Sequence, residues 1–310
     1  MFEPAVFFWR ASFDAARSEQ LRLPADETLK RGGREFPISN VFSAGSLQLV
    51  GGKFKSSFMT LKEALGLKQG EMLSLIGAGG KTTTLFCLAH ELFEEGGEVL
   101  VTTTTKIFKP TKPHVQKLFL AQDLKALLSE LAKIKEPLII GVGSGLDDAG
   151  KLIGLPPEWF GTLHQRSELD WILIEADGAA SRPFKVPLEH EPVVPEVCAL
   201  TVWVMGIKVL GQPLTPEWVH RAEKAATLLG VELGIPVTQD LILKLVKNPF
   251  GCLKGIPPQS RKVALINQAD NPEEVEKASA LGHELIQHGI ERVVITSYLD
   301  KDAVKKVITK

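Results

Sequence analysis

From Met59 onward, short apolar runs alternate with longer stretches of helical period, the order expected of repeated βα units around a parallel sheet. The predicted strands are Met72–Ile76, Val99–Thr103, Leu138–Val142, Trp171–Glu175, Leu200–Met205, Val263–Asn267 and Val293–Thr296. The predicted helices are Lys81–Glu95, Leu124–Ile134, Pro216–Leu229, Asp240–Lys247, Pro272–His288 and Asp300–Ile308. Thr60 is placed to cap a short helix that ends near Gly66. Residues 1–58 carry no sustained helical or strand period and mix apolar pieces with the turn-rich stretches Arg31-Gly32-Gly33-Arg34 and Gly51-Gly52-Lys53. This part reads as a poorly specified extension. The stretch from Asp177 to Pro195 is long, rich in proline and without period, and such a loop inside a compact domain is more often functional than idle.

Composition narrows the class. Of 310 residues, 44% are hydrophobic and 24% charged, the balance of a soluble globular chain with a sizeable core. Lys+Arg 36 against Asp+Glu 37 gives a net charge of -1, so no general attraction to nucleic acid or to an anionic membrane is expected. No apolar run reaches the roughly 18 residues of a membrane span. The short run Phe7-Phe8-Trp9 lies between Glu3 and Arg10 and makes a poor secretory signal. Cys87, Cys198 and Cys252 form no C-x-x-C, which argues against a disulfide framework or cysteine zinc site and fits a reducing cytoplasm.

The chemistry concentrates at strand ends. Ser74-Leu75-Ile76 is followed by Gly77-Ala78-Gly79-Gly80-Lys81-Thr82-Thr83, a glycine turn between an apolar strand and an amphipathic helix. That is phosphate-cradle architecture. Backbone N–H groups from Gly77, Ala78, Gly79 and Gly80 can approach phosphate oxygens, Lys81 can reach the β/γ-phosphates, Thr82 can ligate Mg²⁺, and the helix N-terminus adds positive potential. The pattern is the short G-x-x-G-K-T, because a full G-x-x-x-x-G-K-[ST] would need glycine at Leu75. The loop resembles those of Mur-type ligases and signal-recognition-type GTPases. A glycine turn that merely caps a helix is the alternative.

Val101 to Lys106 ends the next strand in a threonine run, so Lys106 is a candidate for the same crevice, although a β-branched strand end looks the same. Trp171-Ile172-Leu173-Ile174-Glu175-Ala176-Asp177-Gly178 ends a strand in two acids, candidates for Mg²⁺ and for orienting a nucleophile. Glu175 is favoured for the metal because it ends the strand. Arg182, Lys185, Glu189, His190 and Glu191 follow between prolines, suited to an anion or, with one local histidine, weakly to a metal. His220-Arg221, on a predicted helix, is read mainly as structural. Gly141-Val142-Gly143-Ser144-Gly145 is too incomplete for a dinucleotide fingerprint, and Asp147-Asp148-Ala149-Gly150-Lys151 reads as a tight turn. Asn267-Gln268-Ala269-Asp270 is one residue from the N-K-x-D that reads guanine. Asp270 can accept from the base and Gln268 can cover it, or Asn267 and Asp270 shape the turn and cap the helix at Pro272.

Gly77-Ala78-Gly79-Gly80-Lys81-Thr82-Thr83, Thr102-Thr103-Thr104-Thr105-Lys106-Ile107, Glu175-Ala176-Asp177-Gly178-Ala179, Glu189-His190-Glu191-Pro192 and Val219-His220-Arg221 together resemble the YqeC family of selenium-dependent hydroxylase accessory proteins. The resemblance covers roughly residues 59–310. It implies a cytoplasmic P-loop protein that helps mature selenium-containing molybdenum hydroxylases, with such a hydroxylase or its cofactor-maturation proteins as partners. It also implies a start near Met59, leaving residues 1–58 as an extension or a misassigned start. The expected fold is a P-loop NTPase-like α/β domain with a mostly parallel sheet flanked by helices and a helical C-terminal part. The expected ligands are ATP or GTP with Mg²⁺, bound by the glycine loop, Lys106, Asn267 and Asp270, with Thr82, Glu175 and Asp177 at the metal and Lys81, Glu175 and Asp177 in catalysis. An NTPase accessory factor, an ATP-dependent ligase or kinase on a small cofactor precursor, and a GTPase-like regulatory module are the competing functions.

Overall fold

A computed structural model describes residues 28–31, 34–37, 48–50, 53–55, 59–166, 169–300 and 302–310. The chain divides into two units, Met1–Met59 and Thr60–Lys310. In the first, Thr28–Arg31 pairs antiparallel with Arg34–Pro37, and Gln48–Val50 with Lys53–Lys55. The sequence carries no sustained period there. Each strand is only three or four residues long, too short for a period to register, and Gly32-Gly33 and Gly51-Gly52 stand between the partners as hairpin-favouring pairs. The Phe7-Phe8-Trp9 run lies outside the described residues.

The second unit holds one nine-stranded sheet. Its strands are β1 (Met72–Gly77), β2 (Val99–Thr103), β3 (Lys117–Leu120), β4 (Ile139–Gly143), β5 (Trp171–Glu175), β6 (Leu200–Gly206), β7 (Arg261–Asn267), β8 (Arg292–Thr296) and β9 (Val304–Thr309). Spatially they run β9-β8-β7-β6-β1-β5-β2-β4-β3, all parallel except β9. Strands β2 to β5 lie on one side of β1 and β6 to β9 on the other. The chain therefore reverses its direction of growth between β1 and β6, and open parallel sheets bind ligands beyond the carboxyl ends of strands at such a switch point.

Alternation along the strands builds two cores. Met72 and Ile76 of β1, Ile172 and Ile174 of β5 and Ala264 and Ile266 of β7 face one side, packing with α3 (Leu124–Leu131), α5 (Ala222–Leu229), α6 (Gln239–Lys247) and α7 (Pro272–Gln287). Leu73 and Leu75, Trp171 and Leu173, and Val263 and Leu265 face the other, beneath α1 (Leu61–Leu65) and α2 (Lys81–Glu94). The sheet is thus flanked by helices on both faces; a short α4 (Phe160–His164) precedes β5. Helix α1 begins with the expected Thr60 cap, reinforced by Glu63 in a capping box, and ends on Gly66 in the left-handed region.

Two predicted helices are corrected. Asp300–Ile308 is not helical: Val304 to Thr309 forms β9 against β8. Val304, Val307 and Ile308 mimic a helical stripe, but their β-branched side chains suit a strand, and the edge of β8 supplies the partner. Helix α5 starts at Ala222 and not Pro216, because Val219–His220 pairs in parallel with Phe184–Lys185. The C-terminal third therefore contributes three helices and also three strands of the large sheet. Strand β3 was not expected; its four residues at the sheet edge show no alternation.

Candidate functional site

Strand parity decides what meets the glycine loop. Trp171 and Leu173 face α2, so Glu175 and Asp177, two and four residues beyond Leu173, emerge on the α2 side; Val263 and Leu265 bring Asn267 to that same side. Lys81 and Thr82 open α2. The register sets Glu175 beside Leu75, two residues before the loop. Acids and loop therefore converge from adjacent strands.

Lys81 is buried. Its ammonium donates to the Gly77 carbonyl at 2.6 Å and stands 3.1 Å from Asp177 Oδ1 and 3.8 Å from Glu175 Oε1. Thr82 donates its hydroxyl to Glu175 Oε2 at 2.8 Å, and the Thr82 side chain lies at the solvent-facing mouth of the site. The other Asp177 oxygen accepts the Gly77 N–H at 3.0 Å and faces the Lys185 ammonium at 3.0 Å. Asp177 thus meets the loop and Lys185 through Oδ2 and the Lys81 charge through a buried Oδ1 that accepts no hydrogen bond, whereas Glu175 shares its oxygens with the accessible Thr82. Burial pushes Glu175 above the ordinary carboxylate range, against the pull of Lys81 and Thr82.

The charges continue into the Asp177–Pro195 loop. Lys185, buried more deeply still, donates to Glu191 Oε2 at 3.0 Å and to the Gly178 carbonyl at 2.6 Å, and its ammonium pairs with Asp177. Arg221 grips both Glu191 oxygens at 2.6 and 3.1 Å and reaches the Val186 carbonyl at 3.2 Å. Burial opposes ionisation of Glu191, yet Arg221 and Lys185 hold its carboxyl down to about 2. Lys254 adds bonds to the carbonyls of Leu188 and Glu191 at 2.7 and 2.9 Å. The loop is stapled from three directions. His220, half-buried on the Lys185 bridge, is pushed below the ordinary imidazole range by burial and then by Arg221 and Lys185.

The loop glycines are required by space as well as conformation. Gly79 has φ +84, and a Cβ there would fall 2.3 Å from Gly206 N; Gly80 has φ +134, with Asn267 Nδ2 at 2.3 Å from such a carbon. Asn267 is the reason for the second closeness, since its amide donates to the Gly79 carbonyl at 2.8 Å.

Other expected residues lie elsewhere. Lys106 is exposed and pairs with Asp147 at 3.2 Å, in a small sheet formed by Lys106–Ile107, Gly145–Leu146 and Leu152–Ile153. Among the described residues no hydrogen bond or ion pair brings it to the glycine loop. Asp147 also accepts the Ala149 and Lys151 N–H groups, closing the tight turn expected there. His190 is exposed, and no group of three His, Cys, Asp or Glu side chains suited to a metal occurs among the described residues. Gln268 tucks its amide oxygen against Gly206. Asp270 pairs with Lys208 at 2.5 Å and accepts the Ser297 hydroxyl at 2.7 Å. A cavity of about 220 Å³, lined by Gly70, Met72, His164 and Asp170, sits at the amino ends of β1 and β5, away from these groups.

Lys185, Glu191 and Arg221 were visible as charges in the sequence, but their union with Lys81 depends on pairing between Phe184–Lys185 and Val219–His220, which two-residue strands do not announce. Thr296 and Ser297 were missed outright; their signal is two hydroxyls at the end of β8.

The molecule is an α/β protein with a glycine-lysine loop at the switch point of a mostly parallel sheet. The family model described as YqeC protein matches residues 73–223. A relative from Escherichia coli (strain K12), "Uncharacterized protein YqeC", is 35% identical over 239 residues, 77% of this chain and 92% of the relative. The chain belongs to the YqeC family. Among the described residues no helix is long and apolar enough to cross a membrane.

Proposed function

We propose that this chain binds a magnesium nucleoside triphosphate on the glycine loop and turns it over, as an accessory factor in the maturation of selenium-dependent molybdenum hydroxylases. The observation that carries the nucleotide reading is the setting of Lys81, an ammonium at the mouth of a helix, within reach of its own loop carbonyl and two acids from the adjacent strand. The accessory role rests on the family resemblance.

Thr82 and Glu175 are oxygen donors in mutual contact, one accessible, and that donor set suits Mg²⁺. When bound, the ion neutralises charge on phosphate oxygens. Lys81 supplies a second positive charge, and the loop N–H groups and the start of α2 add fixed dipoles. Asp177 holds Lys81 and Lys185 in place and orients the loop through Gly77. A ligase or kinase acting on a cofactor precursor is the second reading, favoured by His220, a half-buried imidazole set in register beside Lys185 as a candidate proton acceptor.

Nucleotide turnover measured with hydroxylase subunits and with molybdopterin precursors, added in turn, tests the proposal. Stimulation by the protein subunits supports the accessory factor and stimulation by a small molecule the second reading. No Mg²⁺-dependent turnover under any condition contradicts both.

A further inference from the structure

The Asp270 carboxylate does not cap the helix that follows it; its contacts are Ser297 and Lys208. The helix it precedes is capped by Asn271, whose side chain accepts the Glu274 N–H at 2.9 Å. The Asp270 backbone N–H is taken by Glu274 at 2.7 Å. Its carboxylate instead stands at the carboxyl edge of the sheet, positioned by the hydroxyl of Ser297 from the end of the neighbouring strand. The same two strand ends fix Asn267, whose amide oxygen accepts from Thr296 at 3.1 Å while its nitrogen holds the Gly79 carbonyl. Two successive hydroxyls, Thr296 ending β8 and Ser297 just after it, thus set two residues of one tetrapeptide, one locked to the glycine loop and the other three residues further along the edge.

We propose that Asp270 recognises a guanine base, making this a guanine-nucleotide protein; the inference rests on the nucleotide reading above and names its substrate class. A carboxylate held by one hydroxyl can accept two parallel N–H bonds, and guanine presents such a pair in N1–H and its exocyclic amine. Adenine presents a lone pair at N1, which a carboxylate repels. Lys208, the other partner of Asp270, is 45% exposed against 15% for Asp270, so the lysine can swing into solvent and leave the carboxylate to the base. Leu299 gives its N–H to the Ser297 hydroxyl at 3.3 Å and is 61% exposed, leaving apolar surface on the same loop for a purine ring. Gln268 does not serve there, because its amide is turned to Gly206.

Titration calorimetry with GTP, ITP and ATP, each with Mg²⁺, tests the inference on the full chain. GTP is expected to bind roughly 10–100-fold tighter than ATP, with ITP between them for lack of the exocyclic amine. Asp270→Asn is expected to lose that preference and gain xanthosine triphosphate, whose carbonyl meets the new amide donor. Should that variant fail to fold, the wild-type ranking decides alone. Equal GTP and ATP affinities overturn the guanine inference and leave the phosphate-loop reading standing. Binding of none of the three overturns both.

Discussion

Asp177 accepts the backbone N–H of Gly77 at 3.0 Å, so the acid beyond one strand orients the first residue of the loop that ends its neighbour. The same carboxylate lies within 3.1 Å of both Lys81 and Lys185. Two ammonium groups and a backbone donor therefore depend on one buried side chain.

Asp177→Asn should be strongly destabilising. An amide of the same shape keeps one acceptor but removes the charge that balances two buried lysines, and breaking a buried pair on one side costs roughly 3 kcal/mol. Urea unfolding of the variant measures it; a loss under about 1 kcal/mol would mean that the lysines find other partners.

Acid should weaken the fold through Glu191. Its carboxyl titrates from an ordinary value of 4.5 in the unfolded chain to about 2 in the folded one. A lowered folded value contributes stability that is complete above the unfolded value and disappears as pH falls toward the folded one, on the order of 3 kcal/mol here. Between those limits the wild type should lose stability more steeply than Glu191→Gln, with the raised Glu175 common to both. Parallel stability curves for the two proteins would contradict the assignment.

The alternation of apolar runs and helical stretches made the α/β sheet legible, because strands buried on both faces must be apolar throughout. The glycine loop and the acids at Glu175 and Asp177 were legible for the same reason: strand ends are marked by where the apolar run stops. What escaped depended on partners distant in sequence. Val304, Val307 and Ile308 carry a helical spacing and become a strand only because β8 offers an edge. Lys106 was a candidate for the crevice, with a plain β-branched strand end as the alternative; the Lys106–Ile107 bridge carries its amine to Asp147, whereas Thr103 and Thr104 stay at the strand ends and donate to the carbonyls of Glu175 and Val193. Arg221 adopts φ +67 just before α5, a left-handed turn that single-sequence patterning does not anticipate in an arginine, and this turn sets it against Glu191.

Glu175 and Thr82 should control the metal dependence. Glu175→Gln replaces the carboxylate by a neutral amide with a single oxygen, Thr82→Ala removes the hydroxyl, and both leave Lys81 and the loop in place, so nucleotide affinity measured without Mg²⁺ should change little. The gain in affinity on adding Mg²⁺ should shrink by roughly tenfold or more in both. Chelation of Mg²⁺ should erase the difference between variants and wild type. A Mg²⁺ effect of wild-type size in both variants would move the metal away from this pair.

The most direct test of the nucleotide reading is calorimetric titration of Lys81→Ala beside the wild type, with retained fold checked by circular dichroism. The wild type should bind a magnesium nucleoside triphosphate, and the variant, lacking the only lysine in contact with the glycine loop among the described residues, should bind it at least about a hundredfold more weakly. Equal affinity for both ATP and GTP in the two proteins would contradict the account.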